Sequence, residues 1–191
     1  MSQIIRPSAT KQEVMTYNKT GSTDLTNLPY TISGDSLVDL GSSNWTQLTE
    51  DKDHPSMSIT SDYGVKFEKT GFYRIDSGLF LYGTAPMTSL SNVISQNRIS
   101  KTAPDSTAAG YYPDPAPVPD VGYNRFDLSL NTGAVLGLDP DLNAVVKVDT
   151  APMTVWFYVN ISGTPSNAMI VRAGTASNHL STMTITRLGD L

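Results

Sequence analysis

The sequence predicts an all-β fold: an antiparallel jelly-roll sandwich of about 8–10 strands preceded by an extended N-terminal arm. Three observations predict it. Short runs of alternating apolar residues, separated by turn residues, recur at spacings of ~10–15 residues from Ser36 to the C-terminus. No segment carries a convincing amphipathic helical stripe. The hydrophobic fraction is 39% and the charged fraction 16%, both below the averages of roughly 45–50% and 25% for globular domains. Ser, Thr, Asn, Gly and Pro fill the difference, as turns and solvated strand faces require.

Residues 1–34 carry little periodicity. Val14 and Met15 stand alone, and Leu25, Leu28 and Ile32 are spaced by Thr, Asn and Pro. A helix over Ser8–Tyr17 would have only a thin apolar face. The segment reads as an attachment arm ordered against a partner, or else as a disordered leader or a first edge strand of the domain. The head domain occupies residues 35–191. Ser36–Leu40 and Asn44–Thr49 are its first short strands, parted by Gly41. The charged run Glu50–His54 before Pro55 is a loop. Met57–Thr60 and Val65–Glu68 flank Asp62-Tyr-Gly64 as a hairpin.

Lys69-Thr-Gly71 then introduces a long strand, Phe72–Tyr82, with Tyr73, Ile75, Leu79 and Leu81 on one face. Its other face includes Phe72, Phe80 and Tyr82. Thr154–Ile161 repeats the pattern, with Val155, Phe157, Val159 and Ile161 on one side and Trp156 and Tyr158 on the other. Burying one such side chain is worth roughly 1.5–3 kcal/mol, so both faces call for cover. One meets the opposing sheet; for the other, a second copy of the chain is the simplest cover. Phe80, Tyr82, Trp156 and Tyr158 are therefore the expected subunit-interface residues.

Asn92–Ser100 is a further strand. Residues 101–122 are irregular, with proline at 113, 115, 117 and 119; the missing N–H groups exclude an internal strand and favour a stiff polyproline-II rod. Loops beyond ~12–15 residues are often functional, and Tyr111, Tyr112 and Tyr123 are the candidates for external contact on this one. Phe126–Leu130, Ala144–Val148, Ala168–Arg172 and Ser181–Arg187 complete the strands.

A net charge of −5 without a Lys/Arg cluster argues against phosphate-held nucleic acid and against a polybasic membrane patch. No cysteine means no disulfide framework and no thiolate metal site. The start Met1–Ser8 lacks signal-peptide features, and no segment approaches the ~20 apolar residues of a membrane-spanning helix.

Gly71-Phe72-Tyr73 leading into a long amphipathic strand, and a last strand Ser181–Leu188 ending near the C-terminus, resemble the trimeric jelly-roll heads of the complement globular-head and tumour-necrosis-factor superfamily, including bacteriophage fibre tips and spikes. The resemblance covers roughly residues 36–191. It implies that the Gly-x-Tyr strand lies in the inner sheet beside the last strand. It also implies a homotrimer whose aromatic residues pack around a threefold axis.

Local signs of chemistry are few. His54 and His179 are both in loops without metal-ligand spacing. No Gly-x-Ser-x-Gly elbow is present, and carboxylate pairs such as Glu68 and Asp76 are no more than any acidic protein offers. Glu50–Asp53 and Asp139–Asp141 group oxygen ligands suited to calcium, without the EF-hand pattern, and read first as solvated loops. Sequons at Asn18, Asn44 and Asn160 are treated as chance.

The expectation is a non-enzymatic virion surface protein of a phage: a trimeric head fibre, spike or decoration protein. Residues 1–34 would hold a capsid or fibre protein, and the head would meet a host-surface glycan or protein, with no resident cofactor. A single-jelly-roll capsid subunit, a small carbohydrate-binding or carbohydrate-degrading β-sandwich and a secreted binding module are the alternatives.

Overall fold

The computed structural model describes residues 12–21, 23–24, 35–48, 54–79, 81–83, 92–101, 103–104, 120–129, 137–138, 141–162, 169–171 and 181–191. Its strands are β1 (Val14–Lys19), β2 (Thr23–Asp24), β3 (Asp35–Leu37), β4 (Trp45–Gln47), β5 (Met57–Ile59), β6 (Val65–Phe67), β7 (Gly71–Gly78) and β8 (Leu81–Gly83). They continue as β9 (Asn92–Ser100), β10 (Asp120–Ser129), β11 (Gly137–Leu138), β12 (Leu142–Val148), β13 (Met153–Ser162), β14 (Met169–Val171) and β15 (Thr182–Gly189). No helix occurs among the described residues.

Alternation decides which side of each strand meets the core. In β7 the odd positions Tyr73, Ile75 and Ser77 are buried while Phe72 and Arg74 are exposed. In β12 Leu142, Val146 and Val148 are buried while Asn143, Val145 and Lys147 are exposed. A period of two on a half-buried sheet leaves register little freedom, and every strand pairing is antiparallel.

The first sheet runs β12-β7-β15-β1-β4, and the second runs β10-β9-β13-β6-β5 with β3 also paired to β13. A smaller sheet runs β11-β8-β14-β2. Successive strands cross from one large sheet to the other, as from β6 to β7 and from β12 to β13, while β1 and β15, from opposite ends of the chain, lie side by side. This is a jelly-roll sandwich. The Gly71 strand pairs with the last strand, Ile75 facing Ile185, as the resemblance implied.

One core cluster fills the space between the sheets. Met15, Tyr73, Ile75, Val146, Met183 and Ile185 come from the first sheet; Met57, Val65, Phe67, Ile99, Val155, Phe157 and Val159 come from the second. Phe67 and Tyr73 make an aromatic contact across it at 4.3 Å between ring centroids. Tyr73 directs its hydroxyl to the Lys69 carbonyl at 2.9 Å, so burial leaves the polar end satisfied.

Gly71 shows why the turn into β7 requires glycine. Its φ is +142°, and a Cβ there would collide with the Gly189 carbonyl oxygen, where β15 is bulged between Arg187 and Gly189.

The chain differs from the sequence-based expectation at its N-terminal side. Val14–Lys19 was expected within the arm, yet β1 lies between β15 and β4 in the first sheet, with Met15 fully buried. The domain therefore reaches into the stretch assigned to the arm at least as far as Gln12; residues 1–11 lie outside the described residues.

Polar clasps hold both ends of β1. At its start, Glu13 accepts hydrogen bonds from the Ser56 amide and hydroxyl, both 2.8 Å, which joins the first sheet to the turn before β5. At its end, the fully buried Lys19 ammonium lies 3.2 Å from Asp39 and 4.9 Å from the centre of the Trp45 ring. Asp39 also accepts hydrogen bonds from Ser42 (2.8 Å), Asn44 (3.1 Å) and the Trp45 indole (3.0 Å). Burial opposes its charge, but Lys19 and these donors outweigh that and hold the carboxyl below its ordinary range. Burial draws the Lys19 ammonium below the usual lysine value despite the Asp39 partner.

Candidate functional site

Of the four residues expected at a subunit interface, the structure describes Trp156 and Tyr158 in full and the backbone of Tyr82. Trp156 and Tyr158 belong to β13 in the second sheet, whereas Tyr82 lies on β8 in the small sheet. Phe80 and the Tyr82 side chain lie outside the described residues.

Trp156 and Tyr158 are 8% and 0% exposed within the single chain. They form a second cluster with Leu37, which β3 places directly opposite Tyr158, and with Tyr63 from the β5–β6 hairpin. The chain covers this face itself, so their apolar character needs no second copy. The Trp156 indole N–H has no hydrogen-bond partner in this cluster.

Of the three expected contact residues, one is described. Tyr123 lies within β10, its backbone paired with Arg98, and is no loop residue. Tyr111 and Tyr112 lie outside the described residues, as do His179 and the acidic run 50–53. His54 is half-buried; its Nδ1–H faces the Met57 carbonyl at 3.0 Å, leaving Nε2 to accept from the Gln47 amide. Among the described residues, no three His, Cys, Asp or Glu side chains come together as a metal site. Of the sequon residues, Asn18 is buried and Asn44 donates to Asp39.

The surface that stands out is the outer side of the first sheet. The large apolar side chains exposed among the described residues are Leu48, Phe72, Val145, Leu188 and Leu191. All five lie on strands of this sheet or just beyond their ends. Strand register orders the face into rows: Lys147–Phe72, then Val145–Arg74–Thr186–Val14, then Asn143–Asp76–Thr184–Thr16, then Gly78–Thr182–Asn18–Thr46. The first two rows hold Phe72, Val145 and Val14 among Lys147, Arg74 and Thr186, and the last two consist mainly of short polar side chains, with Leu48 beside Thr16 at the edge.

Charge on the face is compensated locally. Arg74 contacts Asp76 at 2.9 Å, and Lys147 contacts Asp149 at 2.7 Å.

At the polar end a depression of about 420 Å³ opens between β7, β15 and the start of β12. Asp76, Ser77, Gly78, Asp141, Leu142, Asn143, Thr182 and Thr184 line it. Asp76 is fixed from two sides, by Arg74 Nε at 3.0 Å and by the Asn143 amide at 2.5 Å. Sequence reasoning noticed Asp76 and Asp141 separately, but no local spacing signals that β7, β12 and β15 bring them together.

No family model matches the chain, and no curated protein matches it. Among solved structures, Eiger TNF from S. frugiperda is similar over 94% of this chain and 94% of that chain, at 11% sequence identity and a TM-score of 0.48. The fold assignment rests on the strand order and register described above.

Proposed function

We propose that this chain is a structural protein that assembles as a homotrimer through the outer face of its first sheet and serves as a surface head, spike or decoration protein of a phage-like particle. The observation that carries the assembly is the exposure of Phe72 and Val145 on the adjacent strands β7 and β12, with Leu188 exposed on neighbouring β15. Contiguous exposed apolar surface favours a partner, and a face whose charges are already paired accepts a copy of itself without like-charge repulsion. The rest of a chain of net charge −5 resists indiscriminate association. The cysteine-free, Ser/Thr/Asn-rich all-β composition supports the particle-surface setting. In this reading the residues nearest the N-terminus attach the head to the particle, and its role is assembly and attachment, not catalysis.

Because the chain has no cysteine, single-cysteine variants test the assembly directly. Val145→Cys on the proposed face and Lys66→Cys on the second sheet are treated with a short bis-maleimide. The proposal expects covalent dimers from Val145→Cys and none from Lys66→Cys. Equal cross-linking, or none from Val145→Cys, overturns it.

A further inference from the structure

We propose that the depression around Gly78 is a binding site for a neutral polyhydroxylated ligand, a sugar presented at a surface. This goes beyond the assembly reading and does not depend on it. Six residues of strand separate Phe72 from Gly78, about 20 Å at ~3.3 Å per residue, and Asp76 and Asn143 of the lining stand in the row next to Arg74 and Val145. Copies that pack through Phe72 and Val145 leave the Gly78 end at the rim.

Three features make the depression fit such a ligand. Gly78 leaves its floor open, since a Cβ there would stand 3.2 Å from Asp141 Oδ1 and 3.7 Å from Thr182 Oγ1. Its volume of about 420 Å³ falls in the ~300–1,000 Å³ range of small-molecule clefts. Its lining offers the Thr182 and Thr184 hydroxyls and the Asn143 amide beside the carboxylates of Asp76 and Asp141; Thr184 donates to Thr16 and keeps its acceptor lone pairs, and Asn143 donates one N–H to Asp76 and keeps its carbonyl and second N–H. Carboxylate oxygens accept strongly from hydroxyl groups, and Asp76 is held in place before any ligand arrives.

The same chemistry disfavours other classes. Among the described residues the lining holds no Lys or Arg, and Arg74 beside it is engaged by Asp76, which disfavours an anion. The Arg74 pairing of Asp76 also weakens the site for calcium, an ion that takes six to eight oxygen ligands.

The test is an amide-resolved NMR titration of the full chain with D-galactose, D-mannose and L-rhamnose in turn, and separately with calcium chloride. Saturable shifts are expected for at least one sugar at the amides of residues 76–78, 141–143 and 182–184. Gly78→Val, which fills the floor at a strand position without positive φ, is expected to weaken binding by about tenfold or more; Asp141→Asn keeps the shape and tests the carboxylate alone. Absence of saturable shifts with every sugar, unchanged affinity in Gly78→Val, or saturation by calcium alone overturns the proposal. Light scattering on the same sample separates the two readings. A monomer that binds sugar refutes the assembly and leaves the site, and a trimer that does not bind refutes the site alone.

Discussion

Replacing Lys19 with methionine isolates the charge of the buried clasp at the end of β1. Methionine keeps the apolar stem in its packing and removes only the ammonium, which lies 3.2 Å from Asp39 with its own residue fully buried. Removing one partner of a buried ion pair costs about 3–5 kcal/mol, because the other charge is left uncompensated. Ser42, Asn44 and Trp45 still donate to the Asp39 carboxylate, so the low end, about 3 kcal/mol, is expected. Asp39→Ala strands the ammonium and three donors together and costs more, since each unsatisfied donor adds roughly 1–3 kcal/mol.

Urea unfolding followed by tryptophan fluorescence reads both variants. The pH dependence adds a second signature. Asp39 titrates below its ordinary range in the fold, so it contributes stability above the unfolded value of about 3.9 and loses it as pH falls through the lower folded value. Without Lys19 the Asp39 carboxyl loses its largest favourable partner and its folded value moves up, so the stability deficit of the variant is full at neutral pH and narrows as pH falls through the carboxylate range. A Lys19→Met variant with the wild-type urea midpoint and acid limb would refute the reasoning.

Met15→Ala removes a fully buried side chain from β1 and is expected to cost about 2–5 kcal/mol; a loss below half a unit would remove β1 from the core. Gly71→Ala meets both the positive φ and the Gly189 carbonyl, and thermal unfolding is expected to show several degrees of destabilisation, at least ~1–3 kcal/mol. Trp156→Ala is expected to cost about 3–5 kcal/mol without changing the oligomer, because the chain itself covers this residue. Dissociation at unchanged thermal stability would instead return Trp156 to the interface.

The strands are legible where apolar residues alternate along the sequence, and even the weak alternation of Val93, Ser95, Asn97 and Ile99 sufficed for β9. β9 was expected and found at Asn92–Ser100, and β7 and β13 announced themselves by alternation. β1 was hidden because its third inward position is Lys19, a charge satisfied by Asp39 and Trp45 from distant segments. The long strand after Gly71 is divided, ending at Gly78 and resuming at Leu81. Trp156 and Tyr158 were read correctly as needing cover, but alternation cannot reveal whether that cover is foreign. Here it comes from Leu37 on a three-residue strand and Tyr63 in a turn, both too short to carry periodicity. The depression at Gly78 was illegible for the same reason, since its walls come from three strands far apart in sequence.

The central claim is that copies associate through the outer face of the first sheet. The measurement that tests it most directly is the absolute solution mass, by light scattering, of the full chain and of the Phe72→Asp/Val145→Asp double variant. Both side chains are exposed in the single chain, at 37% and 57%, so their replacement leaves the core untouched. The account predicts three times the 20.6 kDa chain mass for the wild type and a folded single-chain species for the variant. A wild-type monomer, or a variant that keeps the trimer mass, would contradict it.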